Sequence, residues 1–252
     1  MALWEKMGER TRFIGINKRV PIELIDKYIR NYLRTGSIDR DAIKADIATV
    51  YRGKNRAEKC VIYIWRILTN DEVLLSFVRT SIGSDRYAKL KHPDKMALIL
   101  ALVASAYPIF ADTLGILAKV YRVQELVSRG YVAQKIGDLY GSNMTLEVAL
   151  DAVFPMLVDL GVITREKIGI YRAVSGVEIV DEKVAELFVA SGIRLSGGKH
   201  ISLDDFEYRD WHFFFKPKVP PFPDQSILMV TAAGARQGYV EYHPLKKKPG
   251  YQ

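Results

Sequence analysis

The chain has 252 residues and is 49% hydrophobic, so it can bury a real core and disorder is not the expectation; a formal net charge of +8 favours a polyanionic partner. A single cysteine, Cys60, rules out an internal disulfide, the histidines at 92, 200, 212 and 243 show no metal-ligand spacing, and a reducing cytoplasm fits this usage. MALWEKMGER lacks the apolar region of a signal peptide, and the apolar run from Met96 to Phe110 is shorter than the roughly 20 residues of a membrane span, so no membrane association is expected.

The chain opens with RTRFIGINKR, where Arg10, Arg12, Lys18 and Arg19 flank Phe13 and Ile16. An arm of this kind suits a phosphate backbone or a minor groove, the alternative being a mobile terminus. A series of helices follows. In PIELIDKYIRNYLRTG, Ile22, Ile25, Ile29 and Leu33 recur at helical spacing between Pro21 and Gly36. SIDRDAIKADIATVYRG repeats the pattern with Ser37 or Asp39 as cap, NRAEKCVIYIWRILTN opens at Asn55, and DEVLLSFVRTSIG is a further short helix.

YRGKNRAEK sets Arg52, Lys54, Arg56 and Lys59 at a helix entrance, where backbone N–H groups also favour an anion. Arg30, Arg34, Arg40 and Lys44 lie on the polar faces of the first two helices, while Tyr28, Tyr32 and Tyr51 read as core or rim. SDRYAKLKHPDK is expected as a basic connection, with a domain boundary near residue 92. The apolar stretch from Pro93 to Val120 divides at Pro108 into two packed helices.

YVAQKIGDLYG, the turn SNM with Ser142 or Asn143 as cap, and TLEVALDAVFPMLVDLG form a helix, a turn and a longer helix. Leu146, Leu150, Val153, Leu157 and Leu160 supply the core face, and Pro155 either kinks or breaks the second helix. VITREKIGIYRAVSGVEIV then reads as a short β-hairpin with Gly169 and Gly176 at turns. EKVAELFVASG is a helix ending at Gly192. LDDFEYRDWHFFF alternates polar and aromatic residues like a strand edge, with Trp211, Phe213 and Phe215 packing inward. KPKVPPFPDQ is an extended connector, SILMVTAAGARQGYVEYHPL a second hairpin, and Lys246, Lys247 and Lys248 a solubilising tail.

The expected fold is therefore mainly α: a basic helical domain (1–92), a helical pair plus helix-turn-helix and wing (93–195), and a C-terminal strand and hairpin extension (196–252). Residues 122–180 resemble the winged helix-turn-helix superfamily. More loosely, YPIFADTLGILAKV followed by this module resembles BrxA-like winged-helix accessory proteins of bacterial phage-defence (bacteriophage exclusion) gene clusters. The second resemblance implies a role as an accessory component of a multiprotein system and carries no residues over.

Charge is unevenly placed. Residues 1–92 hold 19 Lys or Arg against 11 Asp or Glu, residues 93–200 hold 11 against 12, and residues 201–252 hold 7 against 6. The second helix of the helix-turn-helix would present Asn143 and Thr145 to a groove, but also Glu147 and Asp151, which are unfavourable near phosphates. Lys135, Arg165, Lys167 and Arg172 are the candidates to offset them.

GxxxxGK[ST], HExxH, CxxC and GxSxG are absent. SGGKH (196–200) lacks the strand-to-helix context of a phosphate loop. Asp204, Asp205, Glu207, Asp210 and His212 would bind a metal only if a second element added ligands. The expectation is a non-enzymatic protein without cofactor or metal that binds double-stranded DNA; the alternative is a protein–protein adaptor using the winged helix and C-terminal hairpin.

Overall fold

The computed structural model describes residues 14–141, 144–218, 227–233 and 237–243. The chain is mainly helical, with small sheets. α1 (Ile22–Thr35) buries Ile22, Ile25 and Ile29 and stops at Gly36, whose φ of 76° lets its N–H reach Tyr32 O. α2 (Arg40–Val50) is capped by Asp39, whose carboxylate accepts from the N–H groups of Asp41 and Ala42. α3 (Lys54–Thr69) begins one residue before Asn55.

The segment after α3 is more helical than its polar composition suggests. α4 (Glu72–Phe77) passes through a wide π-type turn, Val78–Ile82, into α5 (Gly83–Lys89). The expected connection is thus helical as far as Lys89, because Tyr87 is buried and its hydroxyl donates to Asp26 on α1 at 2.6 Å. A tertiary anchor outweighs local polarity there.

α6 (His92–Ala106) and α7 (Pro108–Tyr121) divide at Tyr107 and cross at 118°. No single described helix is long and apolar enough to cross a membrane. α6 is buried nearly all round, against α1 and α3 and against a later helix, and the buried side chains form one cluster from Ile16 to Val240. The apolar core therefore continues across residue 92.

β1 (Leu126–Ser128), α8 (Arg129–Tyr140), α9 (Met144–Asp159), β2 (Ile163–Lys167) and β3 (Ile170–Ala173) follow, with an antiparallel sheet in the order β1-β3-β2. Leu146, Leu150, Val153, Leu157 and Leu160 are all buried. Pro155 does not break α9. The hydrogen bond it forgoes would end on the carbonyl of Asp151, on the helix's exposed side, where water can replace it.

Beyond β3 the chain departs from the expected pattern. β4 (Val177–Ile179) does not belong to the β2–β3 hairpin, because Gly176, at a φ of 71°, turns the chain away. α10 (Glu182–Leu195), capped by Asp181, runs past Gly192, since that glycine lies within the helix and provides no cap. After β5 (His200–Ser202), the expected strand edge is instead two 3-10 turns, Phe206–Tyr208 and Trp211–Phe213, leading to β6 (Phe215–Pro217). Trp211, Phe214 and Phe215 are the buried aromatics, a helical spacing, while Phe213 is only partly buried. β6 pairs in parallel with β4. β7 (Leu228–Ala233) and β8 (Gln237–Tyr242) make the C-terminal hairpin, with β5 added beside β8.

Candidate nucleic-acid interface

The densest basic group lies where α2 turns into α3. Gly53 occupies the cap position of α3 without a side-chain hydrogen bond, and the first turn holds no acidic residue. Arg52, Lys54 and Arg56 are exposed and Lys59 is half-buried; none makes an ion pair with a described residue. Cations beside a helix N-terminus add to its positive dipole end, so this corner gains stability when an anion settles on it.

Tyr51 ties a second basic segment to the same corner. The Arg56 guanidinium lies 4.5 Å from its ring centre. Burial pushes the Tyr51 hydroxyl pKa up, while the charges of Arg56 and Arg19 pull it back. Residues 14–20 reach α3 because Tyr63 OH donates to Asn17 Oδ1 at 2.7 Å and accepts from the Asn17 N–H at 3.2 Å. Lys18 is half-buried, and Arg10 and Arg12 lie outside the described residues. Cys60 in the same helix is buried, which pushes its thiol up to about 11 against the pull of Arg56 and leaves it protonated at neutral pH.

Arg19 has a partner that spacing alone does not disclose. Its Nε and Nη2 donate to the two carboxylate oxygens of Asp159, each at 2.8 Å. A carboxylate at the C-terminal end of α9 opposes the helix dipole, and this bidentate arginine offsets it.

The other two carboxylates on α9 are held by one arginine. Arg129, in the first turn of α8, places Nη1 2.8 Å from Glu147 Oε2 and Nη2 2.8 Å from Asp151 Oδ1. Nη2 also donates to the Glu147 carbonyl at 2.8 Å. The local sequence SRG around Arg129 gives no sign that its side chain crosses to a later helix. Its backbone N–H donates to Gly169 O at 2.8 Å, so the tip of the β2–β3 hairpin is pinned to the same point.

The remaining sequence candidates divide clearly. Thr145 is exposed in the first turn of α9, whereas Asn143, and Ser142 as its alternative cap, lie outside the described residues. Lys135 is exposed, 4.0 Å from Asp138. Arg165 and Lys167 are exposed on β2 without an ion pair to a described residue. Arg172 differs, because it donates to Glu125 and Glu166, each at 3.0 Å, and its charge is largely met within the protein. Thr145 and Asp159 lie at opposite ends of α9, roughly 20 Å apart at 1.5 Å per residue. The Arg52–Arg56 corner and the Thr145 end are therefore separate parts of the surface.

Two other sequence features have different surroundings. SGGKH follows the C-terminal end of α10, the negative end of its dipole, which is the wrong end for a phosphate. His212 is buried, and its Nδ1 lies 2.5 Å from Phe206 O, so that nitrogen carries the proton and donates. Burial lowers its pKa to about 4. Among the described residues no group of three or more His, Cys, Asp and Glu could hold a metal. Comparison with protein-family models, with curated proteins and with solved structures gives no match.

Proposed function

We propose that the chain is a non-enzymatic, double-stranded-DNA-binding protein in which a winged helix-turn-helix, β1-α8-α9-β2-β3, is attached to a basic helical region. The observation that carries this reading is the α2–α3 corner: Arg52, Lys54 and Arg56 stand exposed at an uncapped helix N-terminus, with no carboxylate partner among the described residues. Phosphate contacts of this kind supply most of the non-specific affinity of a DNA-binding protein. The module's acidic second helix is less of an obstacle than its composition suggests, since Glu147, Asp151 and Asp159 each have an arginine partner. In this reading the corner provides affinity, while Thr145, Arg165 and Lys167 orient the protein or read bases. The resemblance to accessory proteins of phage-defence clusters suggests the setting, a bacterial multiprotein system.

A second reading, a protein–protein adaptor, is favoured by exposed apolar residues on the same module. Met144 at the start of α9 is 78% exposed and Ile168 at the hairpin tip 87%. One experiment separates the two: titration of the purified protein with duplex DNA across a range of salt. DNA binding predicts affinity that falls steeply with salt and modest sequence preference. An absence of binding at low salt favours the adaptor.

A further inference from the structure

Away from the basic corner, a cleft of about 250 Å3 lies between α7, the end of α10 and the two 3-10 turns. Small residues keep it open, because Ala111 and Gly115 on α7 and Gly192 on α10 line it without filling it. Its apolar wall includes Ile116, Leu195 and the buried Trp211. A volume just under the roughly 300–1,000 Å3 of ordinary ligand sites suits a small molecule.

The polar groups of the cleft are incompletely matched. Lys119 and Asp210 face each other at 3.8 Å as a loose ion pair at the rim. Arg209 lines the cleft and makes no ion pair with a described residue. Asp112 accepts from Tyr140 OH at 2.6 Å but has no cation partner among the described residues. His212, 4% exposed, uses Nδ1 on Phe206 O, which leaves Nε2 as a neutral acceptor. What remains is one cation, one carboxylate and one further acceptor around an apolar wall.

We propose that this cleft binds a small α-amino acid with an apolar side chain, its carboxylate on Arg209, its ammonium on Asp112 and His212, and its side chain against Ile116, Leu195 and Trp211. A phosphate would face Asp112 and Asp210, and a divalent cation would face Arg209 and Lys119. A purely apolar ligand would leave the Arg209 cation and the Asp112 carboxylate without a charged partner. Only a ligand carrying both charges answers both.

The test uses the full chain with L-leucine, L-methionine and L-phenylalanine, read by calorimetry and by melting temperature. Two leucine analogues are added, 4-methylpentanoate without the ammonium and isopentylamine without the carboxylate. At least one amino acid should bind saturably at millimolar concentration or below, and each analogue should bind at least about tenfold more weakly than leucine. Arg209→Gln and Asp112→Asn should each weaken binding by a similar factor with unliganded melting unchanged. If either variant melts lower, the analogue series on the wild-type chain decides. Failure of all three amino acids to bind, or an analogue that binds as well as leucine, overturns the proposal.

Discussion

The guanidinium of Arg129 bridges Glu147 and Asp151, 2.8 Å from each carboxylate and across one turn of α9. Arg129 is only 23% exposed, against 49% and 69% for its partners, so one well-held cation is shared between two outward-facing acids and offsets half of their charge. A helix that reads as hostile to DNA by composition is thus less negative, where it would approach a groove, than its carboxylates alone suggest.

Arg129→Gln should weaken duplex binding by about three- to tenfold at low salt, because it removes the one positive charge held against Glu147 and Asp151. Adding Glu147→Gln and Asp151→Asn to that variant should return the affinity to the wild-type value or above it, because this face is then less negative than in the wild type. Filter-binding or anisotropy titrations on the single and triple variants measure both steps. A triple variant as weak as the single one would show that α9 does not approach the phosphates.

Leu150 is fully buried on the core face of α9. Leu150→Asp places an unpaired charge there at a cost of several kcal/mol, on the order of a domain's whole stability, so the variant should unfold or aggregate. Circular dichroism and a thermal melt check this, and a soluble variant melting like the wild type would show that the side chain is not buried.

The mainly helical character and the buried face of α9 were legible because they rest on local periodicity, as Leu146, Leu150, Val153 and Leu157 show. The basic corner was legible too, since Arg52, Lys54 and Arg56 are close in sequence. What was not legible depends on long-range contact. Arg129 meets residues 18 and 22 positions later, and Arg19 meets Asp159 at a separation of 140. Tyr87 keeps α5 helical through Asp26, which no local pattern encodes. The WHFFF stretch misled because aromatics on successive residues fit both a strand and tight 3-10 turns, and burial of Trp211, Phe214 and Phe215 decides for the turns.

His212 makes acid stability testable. Its folded pKa is lowered to about 4 by burial, while an unfolded histidine titrates near 6.5. The unfolded chain therefore binds the extra proton first, so stability falls as pH drops from about 6.5 to about 4 and this contribution levels off below that. The loss is on the order of 3 kcal/mol. His212→Asn keeps an N–H to donate to Phe206 O but does not titrate. Urea melts at pH 7 and pH 5 should show a smaller drop for the variant; an equal drop would mean that His212 is not what senses acid.

The two basic segments at the α2–α3 corner should behave differently under salt. Arg52, Lys54 and Arg56 have no internal carboxylate partner among the described residues, so their charge is fully available to phosphates. Replacing all three by Ala should lower affinity for every duplex alike and reduce the salt slope by up to about 3. Arg19 is already paired bidentately with Asp159 and brings little net charge. Arg19→Ala should therefore change the slope by less than about 1, and Arg19→Ala with Asp159→Asn should leave it near the wild-type value. Salt titrations of the three variants against the same duplex compare them directly. A large slope change for Arg19→Ala with none for the triple variant would move the phosphate contacts from the entrance of α3 to the segment beside α9.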